Sequence, residues 1–428
     1  MLSTTRTTAA VLGGAAALSL VLAACGSSDG SAGDAGDADT PGDVTLTLST
    51  FGNFGYSDEL LAEYETQNPG VTVVHNIAAN GNDARTNLFT KLAAGSGLAD
   101  VEAIEIGWTV DLRQYADKFV PVAEDDYGPW VDYQIAPVTT QDGTVFAYGV
   151  ATGPEAICYR SDLFEAAGLP SAPEDVAALL DGGWDDYFAA GEQYVAGGGA
   201  GWFDSAYTIY NAIIEQQAYP YEDADDAIVA ATNPEVEKAF RDTLAVAPEL
   251  SAKLSSWSDD WSAAMGNGGF ATMACPSWML GIIEGNSAGV TTWNVANTFP
   301  GGGGNWGGSF LAVPTQSEHP EEAAALASWL TAPEQQIEAF KAAGPFPSRT
   351  AAFDLPELAG ITNPFFNDAP VGEIFSDRSQ AIDTVVYKGP NFFKIDTAVK
   401  DAIGRVETGT QSVDDAWNQF VSEVDALS

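Results

Sequence analysis

The stretch from Val44 to Ile106 constrains the fold more than any other part of the chain. Val44-Thr45-Leu46-Thr47-Leu48 alternates apolar and polar side chains, the period of a half-buried strand. Ser57 can cap a helix that has Asp58 and Glu59 in its first turn, Leu60, Leu61 and Tyr64 on its inner face and Asn68-Pro69-Gly70 at its end. Val71–Val74 reads as a second strand, Asp83–Ala94 as a helix closed by Gly95, and Val101–Ile106 as a third strand. Strand and helix alternating at this spacing predict an α/β fold on a parallel sheet. Such sheets bind ligands beyond their strand ends. That makes Asn53, Phe54 and Tyr56 after the first strand, and Glu105 and Trp108 at the end of the third, candidate site residues.

Upstream, Ala9–Leu22 is an apolar run of Ala, Leu, Val and Gly, too short to span a bilayer comfortably and ending in small residues. It reads as a cleaved secretory signal over residues 1–24. Leu22-Ala23-Ala24-Cys25 resembles the lipobox of bacterial lipoproteins, in which the cysteine becomes the lipidated N-terminus. Residues 26–43, rich in Gly, Ser, Ala and Asp, cannot bury apolar surface and read as a flexible tether. With Cys25 lipidated, Cys158 and Cys275 remain as an even pair in an exported chain, more often bridged than free. Two buried thiols are the alternative.

About 400 residues follow the signal, enough for two lobes. The formal charge of −44, with only 16 Lys and Arg, argues against nucleic acid and against a strongly anionic ligand, because phosphate binding needs clustered bases. No cofactor or metal is expected: His75 and His319 stand far apart, and no Cys/His cluster has ligand spacing. No nucleophile elbow is present, Gly301–Gly304 lacks the Lys-Ser/Thr of a phosphate loop, and carboxylate pairs among 60 acids carry no information. An enzyme is therefore not expected.

Tyr148–Thr152 and Glu155–Tyr159 read as extended segments around Gly153-Pro154, Phe270–Ala274 and Phe310–Val313 as strands, and Gly301–Gly308 as a glycine-rich break. Asn233-Pro234 and His319-Pro320 open helices, and Thr397–Thr408 and Ser412–Val424 are amphipathic. Eleven tryptophans exceed what a core of this size usually needs. A neutral sugar offers apolar ring faces and many hydroxyls, so its site combines aromatic platforms with polar edges. Trp278, directly after a buried strand, and Trp306, among glycines, are candidate platforms. Trp202, Phe203 and Asp204 after a glycine run, and Lys388 and Asn391 around Gly389-Pro390, are candidate polar and aromatic edges, with Asp260 and Trp261 further candidates.

Five segments, Tyr64–Val74, Leu92–Ala103, Tyr148–Pro170, Met265–Leu280 and Gly308–Arg349, resemble in order the extracellular solute-binding proteins of sugar ABC importers. Ala99 departs from that family's Pro-Asp step, whose aspartate is kept as Asp100. Phe51–Tyr56, Ala156–Tyr159 and Tyr387–Pro390 are similar to actinobacterial cello-oligosaccharide binders. The resemblance implies a two-lobed periplasmic-binding-protein-like fold with a ligand cleft between discontinuous lobes, here 44–152 with 307–375 and 153–306 with 376–428. It implies a lipid-anchored monomer at the outer face of the cell membrane. That monomer captures a neutral oligosaccharide, such as a β-glucoside, and passes it to membrane permease subunits. It also implies that the strands ending near Cys158 and Cys275 share one sheet.

Overall fold

The computed structural model describes residues 43–125 and 127–427; the signal, Cys25 and the segment to Gly42 lie outside the described residues. Strands β1 (Val44–Phe51), β2 (Val71–Ala78) and β3 (Val101–Glu105) run parallel, with β1 between the other two. The alternation in β1 does what its period requires: Leu46 and Leu48 are buried while Thr45 faces outward. Ser57 Oγ accepts from Leu60 N–H at 3.2 Å and starts helix Asp58–Gln67, whose Leu60, Leu61 and Tyr64 are buried. Helix Gly81–Ala94 is capped by Asn80 and ends at Gly95, φ 71°. Among the described residues no helix is long and apolar enough to cross a membrane.

Strand β4 (Tyr148–Arg160) ties the chain together. It is continuous where two segments were expected. Its front pairs antiparallel with β7 (Asn305–Ala312) and β8 (Phe346–Pro347), and its rear with β5 (Thr272–Pro276) and β6 (Trp293–Ala296). Strand β3 pairs antiparallel with β7, so the sheet order is β2-β1-β3-β7-β4-β5. The sheet is thus parallel only at its start. β4 and β7 carry it from one lobe to the other, giving the two-lobed α/β architecture.

β7 begins at Asn305, inside the stretch read from sequence as a break. Asn305 Oδ1 accepts from Gly153 N–H at 2.9 Å, and Glu155 N–H donates to the Gly304 carbonyl at 2.9 Å. These bonds keep the glycine-rich chain extended beside β4.

One core packs Leu46, Leu48, Val101 and Leu311 with Leu326 and Leu330; another packs Ile157, Tyr159 and Phe164 with Trp202. A third joins Tyr210 and Phe240 to Phe392, Ile395, Trp417 and Phe420 of helices Phe392–Glu407 and Val413–Asp425. The first of those two helices starts five residues earlier than its periodicity indicated. Phe366 and Phe375, expected with the first lobe, pack with Met265 and Trp293. Cys158 and Cys275, on neighbouring strands with Cα atoms 5.5 Å apart, are joined as a disulfide.

Candidate functional site

Ser205 caps helix Ala206–Ile214 through its bond from Thr208 N–H, which places Tyr207 in the first turn. The Tyr207 hydroxyl donates to Asp396 Oδ2 at 2.7 Å. Asp396 and Lys400 lie four residues apart on helix Phe392–Glu407 and so share a face. Lys400 Nζ stands 4.7 Å from the centre of the Tyr207 ring, a cation–π contact. Tyr207 and Lys400, with Lys253, Ser255, Ser256 and the carboxylates Asp401 and Glu407, line a groove of about 520 Å³, within the usual range for small-molecule sites. Among the described residues neither Lys253 nor Lys400 has a carboxylate within ion-pair distance.

Trp257 follows the groove serines. It is 59 % exposed on a left-handed backbone, φ 72°, which a bulky residue rarely adopts. Its ring lies nearly parallel to Trp278, centroids 6.2 Å apart and planes 17° apart, and 5.2 Å from Trp261. Trp278 donates from Nε1 to the Trp306 carbonyl at 3.0 Å, and its ring meets the Trp306 ring edge-on at 5.5 Å. Trp261 Nε1 donates to Asp204 Oδ2 at 2.8 Å. Four indoles thus form one connected set, anchored at Asp204 and presenting Trp257 to solvent.

A second, smaller cavity lies between the lobes. Ile106, Thr109, Arg113 and Tyr133 line it from one side, Glu215 and Lys388 from the other. Lys388 Nζ pairs with Glu215 at 2.8 Å, both largely buried. Burial lowers the Lys388 pKa, but Glu215 and Glu105 outweigh that and hold the ammonium above its usual value. Glu105 Oε2 accepts from Gly107 N–H at 2.7 Å and caps the short turn Ile106–Trp108. Burial pushes the Glu105 carboxyl up to about 7, with Lys388 pulling the other way. Among the described residues no group of three or more His, Cys, Asp or Glu is placed to hold a metal ion.

Residues 59–365 match the model of the bacterial extracellular solute-binding protein family. The chain belongs to that family. A crystal structure described as an extracellular solute-binding protein family 1 member is 44 % identical, with a TM-score of 0.83, covering 90 % of this chain and 99 % of that one. The ABC-transporter-associated binding protein of B. animalis subsp. lactis, solved with β-1,6-galactobiose, is 20 % identical with a TM-score of 0.70, covering 88 % and 95 %. A binding protein of Brucella abortus is 26 % identical over 185 residues; the match spans 42 % of each chain.

In this solute-binding protein, Trp278 and Trp306 come together, and Lys388 meets Glu215 at the inner cavity. The other candidates lie elsewhere. Phe203 and Asp204 are a correction: both are buried, Phe203 with Trp202 in a lobe core, and Asp204 under Trp261, Ser205 and Thr208. The glycines before them form a tight turn that feeds the chain inward. Phe54, Tyr56 and Trp108 are buried too; Phe51 stands between Phe54 and Trp108, at 5.0 and 4.9 Å. Asn53 is exposed and closes its own turn on Gly55 N–H. Asn391 gives its backbone and side-chain N–H groups to Glu222.

Sequence reasoning missed Trp257, Tyr207, Asp396, Lys400 and Glu215. Trp257 had a signal: an indole in Ser255-Ser256-Trp257-Ser258 has no local apolar neighbour. Tyr207 had none, because a tyrosine in the apolar run Ala206–Ile214 looks like core.

Proposed function

We propose that this solute-binding protein is the extracellular substrate-binding component of an ABC importer and that it captures a neutral oligosaccharide. A β-linked glucose disaccharide such as cellobiose is the first ligand to test. The observation that carries the reading is the exposed Trp257 ring backed by Trp278, beside a groove edged with hydroxyls, the carboxylates Asp401 and Glu407 and two lysines. An indole face takes the apolar side of a pyranose, and the hydroxyl, carboxylate and ammonium groups satisfy its rim. The β-linked disaccharide bound by the B. animalis protein supports the ligand class. The platform and the groove belong to the lobe 153–306 with 376–428, and the lobe 44–152 with 307–375 closes over the sugar that they hold. A ligand held by both lobes favours the closed form, and the permease takes the sugar from that form. The protein carries out no chemistry, acts as a monomer and is held at the membrane through Cys25. A thermal-shift and tryptophan-fluorescence screen against neutral glycans tests this, since a true ligand stabilises by mass action. Response to cellobiose or another neutral glycan is expected; response only to peptides or polyamines overturns the reading.

A further inference from the structure

Two segments, one from each lobe, lie against each other across the inner cavity. Residues 106–113 follow β3 on one wall, and residues 384–393 lead into helix Phe392–Glu407 on the other. Thr384, Val386 and Lys388 line the cavity at every second position, the period of an extended chain with one face turned to it. The space left between the walls is about 30 Å³, room for roughly two waters.

Each segment is fixed to its own lobe. Trp108 and Leu112 are buried with Leu88 and Phe146, and Arg113 Nε donates to the Pro137 carbonyl at 3.3 Å. On the facing wall, Tyr387 N–H donates to the Ala218 carbonyl at 2.8 Å, Lys388 pairs with Glu215, and Asn391 N–H donates to Glu222 Oε1 at 2.9 Å. Phe392 is buried against Tyr221, ring centres 4.9 Å apart. Neither segment slides without breaking bonds in its own lobe, so a contact between them couples the lobes directly.

Phe393 makes that contact. It is 42 % exposed in the first turn of its helix, yet the tip of its ring reaches Gly107. A Cβ placed on Gly107 would stand 2.8 Å from Phe393 Cζ and 2.6 Å from Glu105 Oε2, nearer than non-bonded atoms settle. The φ at Gly107 is not positive, so space and not backbone conformation calls for glycine there. The Arg113 guanidinium lies 6.0 Å from the Tyr387 ring centre, at the outer reach of a cation–π contact, and the Tyr133 hydroxyl bonds Ser379 Oγ at 2.7 Å. Parting the lobes gives up these contacts and returns the covered edge of the Phe393 ring to water.

We propose that Phe393 seated on Gly107 is a latch that holds the two lobes together and sets glycan affinity through the closing equilibrium. The proposal rests on the inter-lobe closure reading above. Phe393, Gly107, Arg113 and Tyr387 do not line the groove beside Trp257. A ligand gripped only when the lobes are together binds more weakly in proportion to the closed population that is lost.

Small-angle X-ray scattering of the purified protein reads the separation of the lobes without any ligand. Phe393→Ala is expected to enlarge the radius of gyration. Gly107→Ala, whose added methyl meets the ring, is expected to enlarge it as well, and to add little once Phe393→Ala has removed the ring. An unchanged radius in Phe393→Ala overturns the proposal. So does an equal effect of Gly107→Ala with and without the Phe393 ring, since that effect then comes from Glu105 alone. Calorimetric titration with cellobiose adds a second arm. Phe393→Ala is expected to weaken binding roughly three- to tenfold. Equal affinity in wild type and variant overturns the latch and leaves the sugar reading standing. Absence of cellobiose binding to the wild type counts against that ligand, and scattering still decides the latch.

Discussion

Trp257 keeps a left-handed backbone under a mostly exposed indole, a strain of about 1–2 kcal/mol. Contacts to Trp278 and Trp261 offset it, each aromatic pair contributing roughly 0.5–1.5 kcal/mol. Trp257→Gly removes strain and contacts together. Its thermal midpoint should move little, while affinity for a neutral glycan falls by about 2 kcal/mol, roughly 30-fold, in calorimetric titration. Trp278→Ala should behave differently. Its indole is half-buried and bonded to the Trp306 carbonyl, so it should lose about 3 kcal/mol of stability in urea unfolding as well as affinity. Equal losses of stability in the two variants would refute this division of labour. Asp204 offers a pH test. Burial raises its pKa to about 6, against hydrogen bonds from Trp261, Ser205 and Thr208 that pull it down. Its stabilisation is therefore full below the ordinary aspartate value and is lost as pH rises through about 6. Relative to Asp204→Asn, the wild type should lose urea midpoint between acid and neutral pH; a constant difference would count against it.

At the scale of elements, the crossing of β4 and β7 decides the geometry. A Cβ on Gly153 would stand 1.9 Å from the Trp306 carbonyl oxygen and 3.0 Å from Trp278 Nε1. Gly153→Ala should therefore cost about 1–3 kcal/mol in urea unfolding and weaken glycan binding by tilting Trp278. Wild-type stability with wild-type affinity would show that the two strands can separate there. Local patterns made the βαβαβ start legible, down to the Ser57 cap and the Gly95 end of the second helix, though not the Asn80 cap that starts it. They did not reveal that Asn305–Gly308 is a strand, because glycine has low strand propensity and its extension here comes from bonds to β4. Nor did they show that helix Phe392–Glu407 begins before Thr397. Gly389-Pro390 reads as a stop, and it is the packing of Phe392 and Ile395 against Tyr210 and Phe240 that extends the helix backward.

For the molecule as a whole, the Cys158–Cys275 disulfide closes a span of 117 residues. The chain-entropy model assigns such a loop roughly 4–5 kcal/mol. Cys158→Ser/Cys275→Ser should lower the thermal midpoint by several degrees with little change in glycan affinity, since both sulfurs lie in the core. An unchanged midpoint would mean that the paired strands β4 and β5 already restrict the chain. The same core, running from Met265 and Cys275 to Phe346 and Phe375, joins the sheet's rear to segments from the last third of the sequence.

Period, caps and residue types determined by themselves the α/β class, the even cysteine pair, the poverty of bases and the abundance of tryptophan. Those properties depend on near neighbours in the chain or on counting. Tertiary structure alone decided which indoles stack together and which carboxylate pairs with Lys388. Trp202, Trp261 and Trp257 are alike in sequence, yet two are core and one is exposed. Glu215 and Lys388 pair at 2.8 Å although 173 residues separate them. Burial and charge balance are sums over long-range neighbours, and no local pattern carries them.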